Sequence, residues 1–331
     1  MFQVFAMAVV GLTVICSVSA SAGAQEKKPT VSGDEQKLAK AINAATDPAG
    51  KLKASADLIQ KYPQTSLRPS VADAMEKGIS RVSDASQRVS LAQTYQGIFT
   101  EPAEQDLILP VLIMAYADAE KPDDAFASAA TFLGRHPDSL PVLVRMAQLG
   151  TDAAKQRNTK FAKTSLDYSA TAVKMIEADQ KPAELDDATW KRYKAVVPGL
   201  YQSMAVLRVV TGDNSGAKAS LQKAAELQPS EPFNYLMLGG ILNDEYESAV
   251  GRYKAMPDGP AKQAEAPKIL TMLDSVIDAY AHMLGLSEGN AQLEPVRQQF
   301  LQDLEEYYKS RHNNSTDGMK ELIAKYKAPG K

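Results

Sequence analysis

The stretch GDNSGAKASLQKAAELQP, residues 212–229, contains the pattern that decides the fold of this chain. Ala217, Leu221 and Ala224 follow one another at intervals of four and three residues, which places them on one face of an α-helix. Pro229 comes five residues later and ends that helix, because a proline cannot continue the ladder of helical hydrogen bonds. The stretch therefore predicts a Gly-Asp turn, a helix that packs through small side chains, and a proline stop.

The same spacing occurs twice more along the chain. Ala125, Ala129, Phe132 and Pro137 repeat it, and Lys51, Ser55, Leu58 and Pro63 repeat it more weakly. Larger residues also precede the two stronger sets at equal distances: Tyr201, Met204 and Arg208 before Ala217, and Leu109, Leu112 and Tyr116 before Ala125. The chain thus repeats one unit, which consists of two helices, a tight turn and a terminal proline. In this unit the small residues let the two helices approach closely, and the large residues fill the space between them.

This pattern resembles the tetratricopeptide repeat, a 34-residue helix–turn–helix unit with an Ala…Pro signature. The resemblance is good over residues 198–243, moderate over residues 106–138 and degenerate elsewhere. It implies an all-α fold, a helical-hairpin solenoid (an α-α superhelix) over residues 34–256, and a C-terminal helical region at residues 257–331 that closes the array. Within these regions the periodicity predicts one helix at 187–210, a hairpin formed by helices 233–243 and 247–256, and a C-terminal helix at 269–286.

Composition agrees with a folded helical protein. The 331 residues are 44% apolar and 23% charged, which is close to the globular average. Strong helix formers dominate long stretches, and no run of β-branched residues predicts a strand. The formal net charge of −3 offers no basic face for phosphates, so no nucleic-acid partner is expected.

The amino terminus is typical of a secretory signal peptide. Residues 1–24 form an apolar segment followed by small residues, with Ala22 and Ala24 in an A-x-A arrangement, and residues 25–33 read as a flexible linker. These features predict an exported protein, periplasmic or extracellular. The segment carries no Lys or Arg, and about 20 apolar residues can cross a bilayer, so an uncleaved membrane anchor is the alternative. The only cysteine, Cys16, lies inside it.

No catalytic, metal-binding or cofactor-binding residues are predicted. His136, His282 and His312 have no second histidine or acid at a metal-ligand spacing, and cleavage would leave no cysteine ligand. Pairs such as Asp123-Asp124 fit helix starts, where negative charge is favoured. The glycine-rich pieces lack the Lys-Ser/Thr that follows a phosphate loop. A helical enzyme is therefore only a remote hypothesis.

The resemblance implies a groove lined by the first helix of each repeat. Seven residues are candidate contacts there: Met114, Gln202, Val206, Val209, Phe233, Leu236 and Asn243. Either this mostly apolar groove takes an apolar or helical segment, or the C-terminal helices fold back and fill it. The leading hypothesis is a non-enzymatic scaffold or adaptor of the cell envelope that binds a protein or peptide. A structural subunit of an envelope assembly complex is the alternative.

Overall fold

The computed structural model describes residues 31–327, so the predicted signal peptide and most of the predicted linker lie outside the described residues. The described part contains fifteen helices and no strand. They are α1 (Gly33–Ala44), α2 (Pro48–Lys61), α3 (Arg68–Ser80), α4 (Ala85–Ile98), α5 (Pro102–Asp118), α6 (Pro122–Leu133), α7 (Leu140–Lys155), α8 (Ala162–Glu177), α9 (Asp187–Ala195), α10 (Val197–Val210), α11 (Asn214–Leu227), α12 (Pro232–Ala255), α13 (Pro260–Leu286), α14 (Glu294–Arg311) and α15 (Met319–Lys325). The predicted all-α class is confirmed.

Polar caps and prolines set many of the helix starts. The Asp47 carboxylate accepts a 2.9 Å hydrogen bond from the Gly50 amide, and Pro48 occupies the first turn of α2. Asp213 does the same for α11, accepting from the Gly216 amide at 2.9 Å. Both caps satisfy an amide that has no partner inside its helix. The Gly-Asp turn that the sequence predicts before α11 is therefore a helix cap.

The chain divides into two compact units, of which the first ends at Pro137. In this unit α1 packs on α2 and α5 packs on α6, so consecutive helices form hairpins. Ala125 and Ala129 are fully buried and Phe132 nearly so, as the repeat pattern predicts. A buried ion pair joins α3 to α5: Arg68 Nε and Nη2 lie 2.5 and 2.8 Å from the two Glu104 oxygens.

The second unit begins at Asp138 and contains α7 to α15. Its hairpins are α7 with α8, α10 with α11 and α12 with α13. Ala217, Leu221 and Ala224 are fully buried in this unit. The Arg208 guanidinium donates to the Gly216 carbonyl at 2.7 Å and to the Ser220 hydroxyl at 2.9 Å, which ties α10 to α11. The predicted helical hairpins are thus confirmed where the sequence pattern is clearest.

Three predicted helix boundaries are wrong. Helix α12 is continuous from Pro232 to Ala255, so the predicted turn between residues 243 and 247 does not exist. The predicted helix at 187–210 breaks at Val196, two residues before Pro198, into α9 and α10. Helix α13 begins at Pro260 instead of residue 269 and contains Pro267 in its early part. In place of the predicted hairpin within 233–256, the partner of α12 is α13.

The C-terminal helices form a cluster of their own on α12. Leu273, Ile277 and Leu284 of α13 are buried together with Leu304 of α14 and Met319 of α15. By length and composition alone α13 could cross a membrane, but half of its most apolar window is buried inside the protein. Its burial against α12, α14 and α15 is that of a core helix.

Candidate functional site

The candidate contacts fall in both units. Met114 is half-buried on α5 of the first unit, and the other six residues lie on α10 and α12 of the second. On α10, Val206 is buried and Val209 is 38% exposed. The Gln202 side-chain amide donates a 2.9 Å hydrogen bond to Asn234 Oδ1 of α12, so it is engaged inside the protein. Of the α10 candidates, Val209 is the one that faces solvent most.

One stripe of α12 is open. Phe233, Leu236 and Gly240 follow one another at intervals of three and four residues, which places them on one face of the helix. Phe233 and Leu236 are half-buried, and a Cβ added to Gly240 would meet no atom within 4 Å. We call these three residues the α12 groove face. It is apolar, and there is free space beside its middle turn.

The adjoining stripe of the same helix is covered by the C-terminal helices. A Cβ added to Gly239 would lie 2.9 Å from the Tyr280 ring and 3.4 Å from Phe300. Asn243 Oδ1 accepts a 2.6 Å hydrogen bond from the Tyr307 hydroxyl of α14. Burial, the largest cause, and the nearby Glu247 carboxylate raise the pKa of Tyr307 to about 12, so this hydroxyl stays a donor at neutral pH. The candidate contact Asn243 is thus occupied within the chain.

The C-terminal helices cover only part of the predicted groove on α12. The C-terminal helices fill the stripe that contains Gly239 and Asn243, and they leave Gly240 uncovered. Gly239 belongs to the covered stripe and its neighbour Gly240 to the open one, because consecutive helix positions point about 100° apart.

The first unit contains a pocket that the sequence patterns do not predict. We call it the α1–α3 pocket; it has a cavity volume of about 160 Å³ and is partly open to solvent. Its lining residues come from α1, α2, α3 and the adjoining turns: Ala39, Ile42, Asn43, Thr46, Pro48, Lys51, Leu67, Ser70, Val71, Ala74, Met75 and Gly78. One signal was present in the sequence, since Lys51 stands where the two stronger repeat sets have alanine.

The comparisons with known proteins concern the fold. No family model matches the chain, and no curated protein matches it. The chain is similar to a tetratricopeptide repeat protein. That protein is from Parabacteroides merdae ATCC 43184; the TM-score is 0.37 and the sequence identity 11%, over 88% of this chain and 94% of the other.

The histidines of these helical hairpins contact structural neighbours. His136 Nε2 lies 3.0 Å from an Asp106 oxygen, and the ring of His312 stacks on Tyr308. His282 is stacked between Tyr235 and Tyr326, and burial lowers its pKa below 6.5. Among residues 31–327 no three His, Cys, Asp or Glu side chains lie together as metal ligands would.

Proposed function

We propose that this protein is a non-enzymatic scaffold that binds a protein or peptide partner on the α12 groove face. The observation that carries the proposal is the free space beside Gly240, next to the half-buried side chains of Phe233 and Leu236. A preformed apolar strip of this kind suits an apolar or helical segment, whose anchors lie three or four residues apart. Because the strip is already formed, binding requires little ordering of the scaffold.

The partner's backbone would approach α12 closely at Gly240. A helix that presents glycine lets a second chain come nearer than a larger side chain would permit, and Phe233 and Leu236 then supply apolar contact area on the same stripe. Val209 of α10, 38% exposed, is the remaining candidate contact with much free surface. Gln202 and Asn243 are assigned no role in binding, because each is hydrogen-bonded inside the protein.

The proposed place of action is the periplasm or another extracytoplasmic compartment. The support is the leader-like composition of residues 1–24, an apolar segment that ends in small residues. If the leader is retained, the same protein acts at the membrane surface, anchored by that segment.

A pair of glycine variants on one helix tests the binding proposal. Gly240→Trp fills the open space on the α12 groove face, whereas Gly251→Trp places the same side chain at another exposed, unobstructed position of α12. Each variant is immobilised, and partners are captured from an envelope extract of the native cell. We expect the wild-type protein and Gly251→Trp to capture the same partners, and Gly240→Trp to fail to capture them.

Equal capture by both variants, with circular dichroism showing that both are folded, contradicts the proposal. The manner of capture separates the scaffold from a structural subunit of an envelope complex. Substoichiometric partners that exchange on washing support an adaptor, and a partner that co-purifies at constant stoichiometry supports a subunit.

A further inference from the structure

The walls of the α1–α3 pocket are apolar and already formed. Ile42 of α1 and Val71 and Met75 of α3 are each less than 10% exposed, so they are held in place by the fold. Helices α1 and α3 both pack against α2, with the pocket between them. Small residues keep it open: Ala74 and Gly78 line the α3 wall, and a Cβ at Gly78 would meet no atom within 4 Å.

The floor of the pocket carries one positive charge. Lys51 of α2 is the only charged side chain among the lining residues that the structure describes. It is half-buried, and within residues 31–327 its ammonium has no hydrogen-bond or ion-pair partner. A cation that is partly withdrawn from water beside apolar walls is stabilised by an anion at the same place. The side chains of Asn43 and Thr46 add neutral polar groups to the lining.

The corresponding positions of the other repeat sets show that this lysine departs from the packing pattern. Ala125 and Ala217 are fully buried at the first position of their sets, where they let two helices touch. Lys51 occupies that position in the first set, where it is half-buried and lines the pocket. A long charged side chain at this position serves packing poorly, since the small residue it replaces is what permits close helix approach.

We propose that the α1–α3 pocket binds a small amphiphilic carboxylate, with its apolar chain between α1 and α3 and its carboxylate on Lys51 Nζ. Mostly apolar walls with a few polar groups, as in this pocket, are typical of small-molecule sites. One ammonium balances one negative charge, which favours a carboxylate over a phosphate ester that carries close to two. The site belongs to the first unit and does not depend on the α12 groove face.

A homologous series of ligands tests the chemistry. Isothermal titration of the purified protein with hexanoate, octanoate and decanoate should give affinities that rise about fourfold per added methylene until the pocket is filled. Decanol, which has the chain without the charge, should bind at least about tenfold more weakly than decanoate, because its neutral hydroxyl forms no ion pair with the Lys51 ammonium. Equal affinity for decanol and decanoate would overturn the assignment of Lys51.

Matched variants locate the site. Lys51→Gln should weaken decanoate at least about tenfold, while Lys53→Gln, on an exposed lysine of the same helix that does not line the pocket, should leave the affinity unchanged. Gly78→Leu fills the pocket and should abolish binding, whereas Gly97→Leu, at an unobstructed exposed position of α4, should not. Binding that survives Gly78→Leu, or no binding of decanoate to the wild-type protein, refutes the proposal.

Discussion

At the scale of single residues, two adjacent glycines of α12 have opposite surroundings. Gly239 is buried under the Tyr280 ring, and Gly240 faces open space. Glycine in a helix interior costs about 1 kcal/mol relative to alanine, so each needs a compensating reason. For Gly239 that reason is close packing inside the protein, and for Gly240 it is the proposed docking of a partner.

The two glycines predict stability changes of opposite sign. Gly240→Ala should raise the free energy of unfolding by up to about 1 kcal/mol, through helix propensity alone. Gly239→Ala should lower it by about 1–3 kcal/mol, because the new Cβ would lie 2.9 Å from the Tyr280 ring. Urea unfolding followed by circular dichroism measures both. No loss of stability in Gly239→Ala would show that Gly239 is not closely packed, and a loss in Gly240→Ala would show that Gly240 does not face open space.

His282 predicts a pH dependence of stability. Burial between Tyr235 and Tyr326 lowers its pKa, an effect that Lys325 strengthens and Asp278 opposes. The unfolded chain then binds the proton more readily than the folded one, so stability is complete above about pH 6.5 and is lost as pH falls through the lowered pKa. We expect the urea midpoint to fall between pH 7.5 and 5.

His282→Gln is the control for this titration, since glutamine has no ionisable group in that range. The variant should show a flatter midpoint between pH 7.5 and 5 than the wild-type protein. Asp106 and Glu288 have lowered pKa values, so their contributions to stability are lost only below about pH 5 and do not affect the midpoint between pH 7.5 and 5. A midpoint that falls as steeply in the variant excludes His282 as the source.

At the scale of helices, the sequence predicts where a helix ends more reliably than whether a long helix is continuous. Helix α2 ends just before Tyr62-Pro63 and α11 ends two residues before Pro229, as the proline rule predicts. The predicted break in α12 fails because residues 243–247 contain no proline or glycine, and Lys218 of α11 holds Glu245 in a 2.7 Å ion pair. The α1–α3 pocket lay beyond prediction, since it depends on the distance between α1 and α3.

The ion pair between α3 and α5 predicts a coupled loss of stability. Arg68→Met should destabilise the protein by about 3–5 kcal/mol, because it leaves the Glu104 carboxylate, 8% exposed, without its cation. Replacing both residues, Arg68→Met with Glu104→Leu, should recover much of that loss. A double-mutant cycle measured by urea unfolding tests this. Additive losses would mean that the two charges do not interact in solution.

At the scale of the whole molecule, the described chain forms two units, each with its own hairpins and buried residues. The repeat sets at residues 125–137 and 217–229 lie one in each unit, so a single motif search locates both. The division itself was not predicted, because the peptide around Pro137 reads like any other helix end in the chain.

If the predicted signal peptide, residues 1–24, is cleaved, the mature protein has one thiol fewer than the precursor. Cleavage after Ala24 removes Cys16, the only cysteine, so protein recovered from the native cell should take up no maleimide and should begin at Gln25 in a mass spectrum. Protein retained in the cytoplasm, or made without export, should react at one thiol. A native protein that labels fully and fractionates with membranes would favour the anchored form.

Gly285 of α13 faces the backbone at the end of α15, where an added Cβ would lie 2.6 Å from the Ile323 carbonyl oxygen and 2.9 Å from the carbonyl carbon of Tyr326, the residue that follows the helix. Every other amino acid carries that Cβ, and a backbone cannot turn aside as a side-chain tip can. Position 285 should therefore tolerate no missense change as long as α15 is kept. In a lineage that has lost α15 the restriction would be lifted, and residue 285 would drift. The amino acid found there in relatives thus reports whether their final helix still docks.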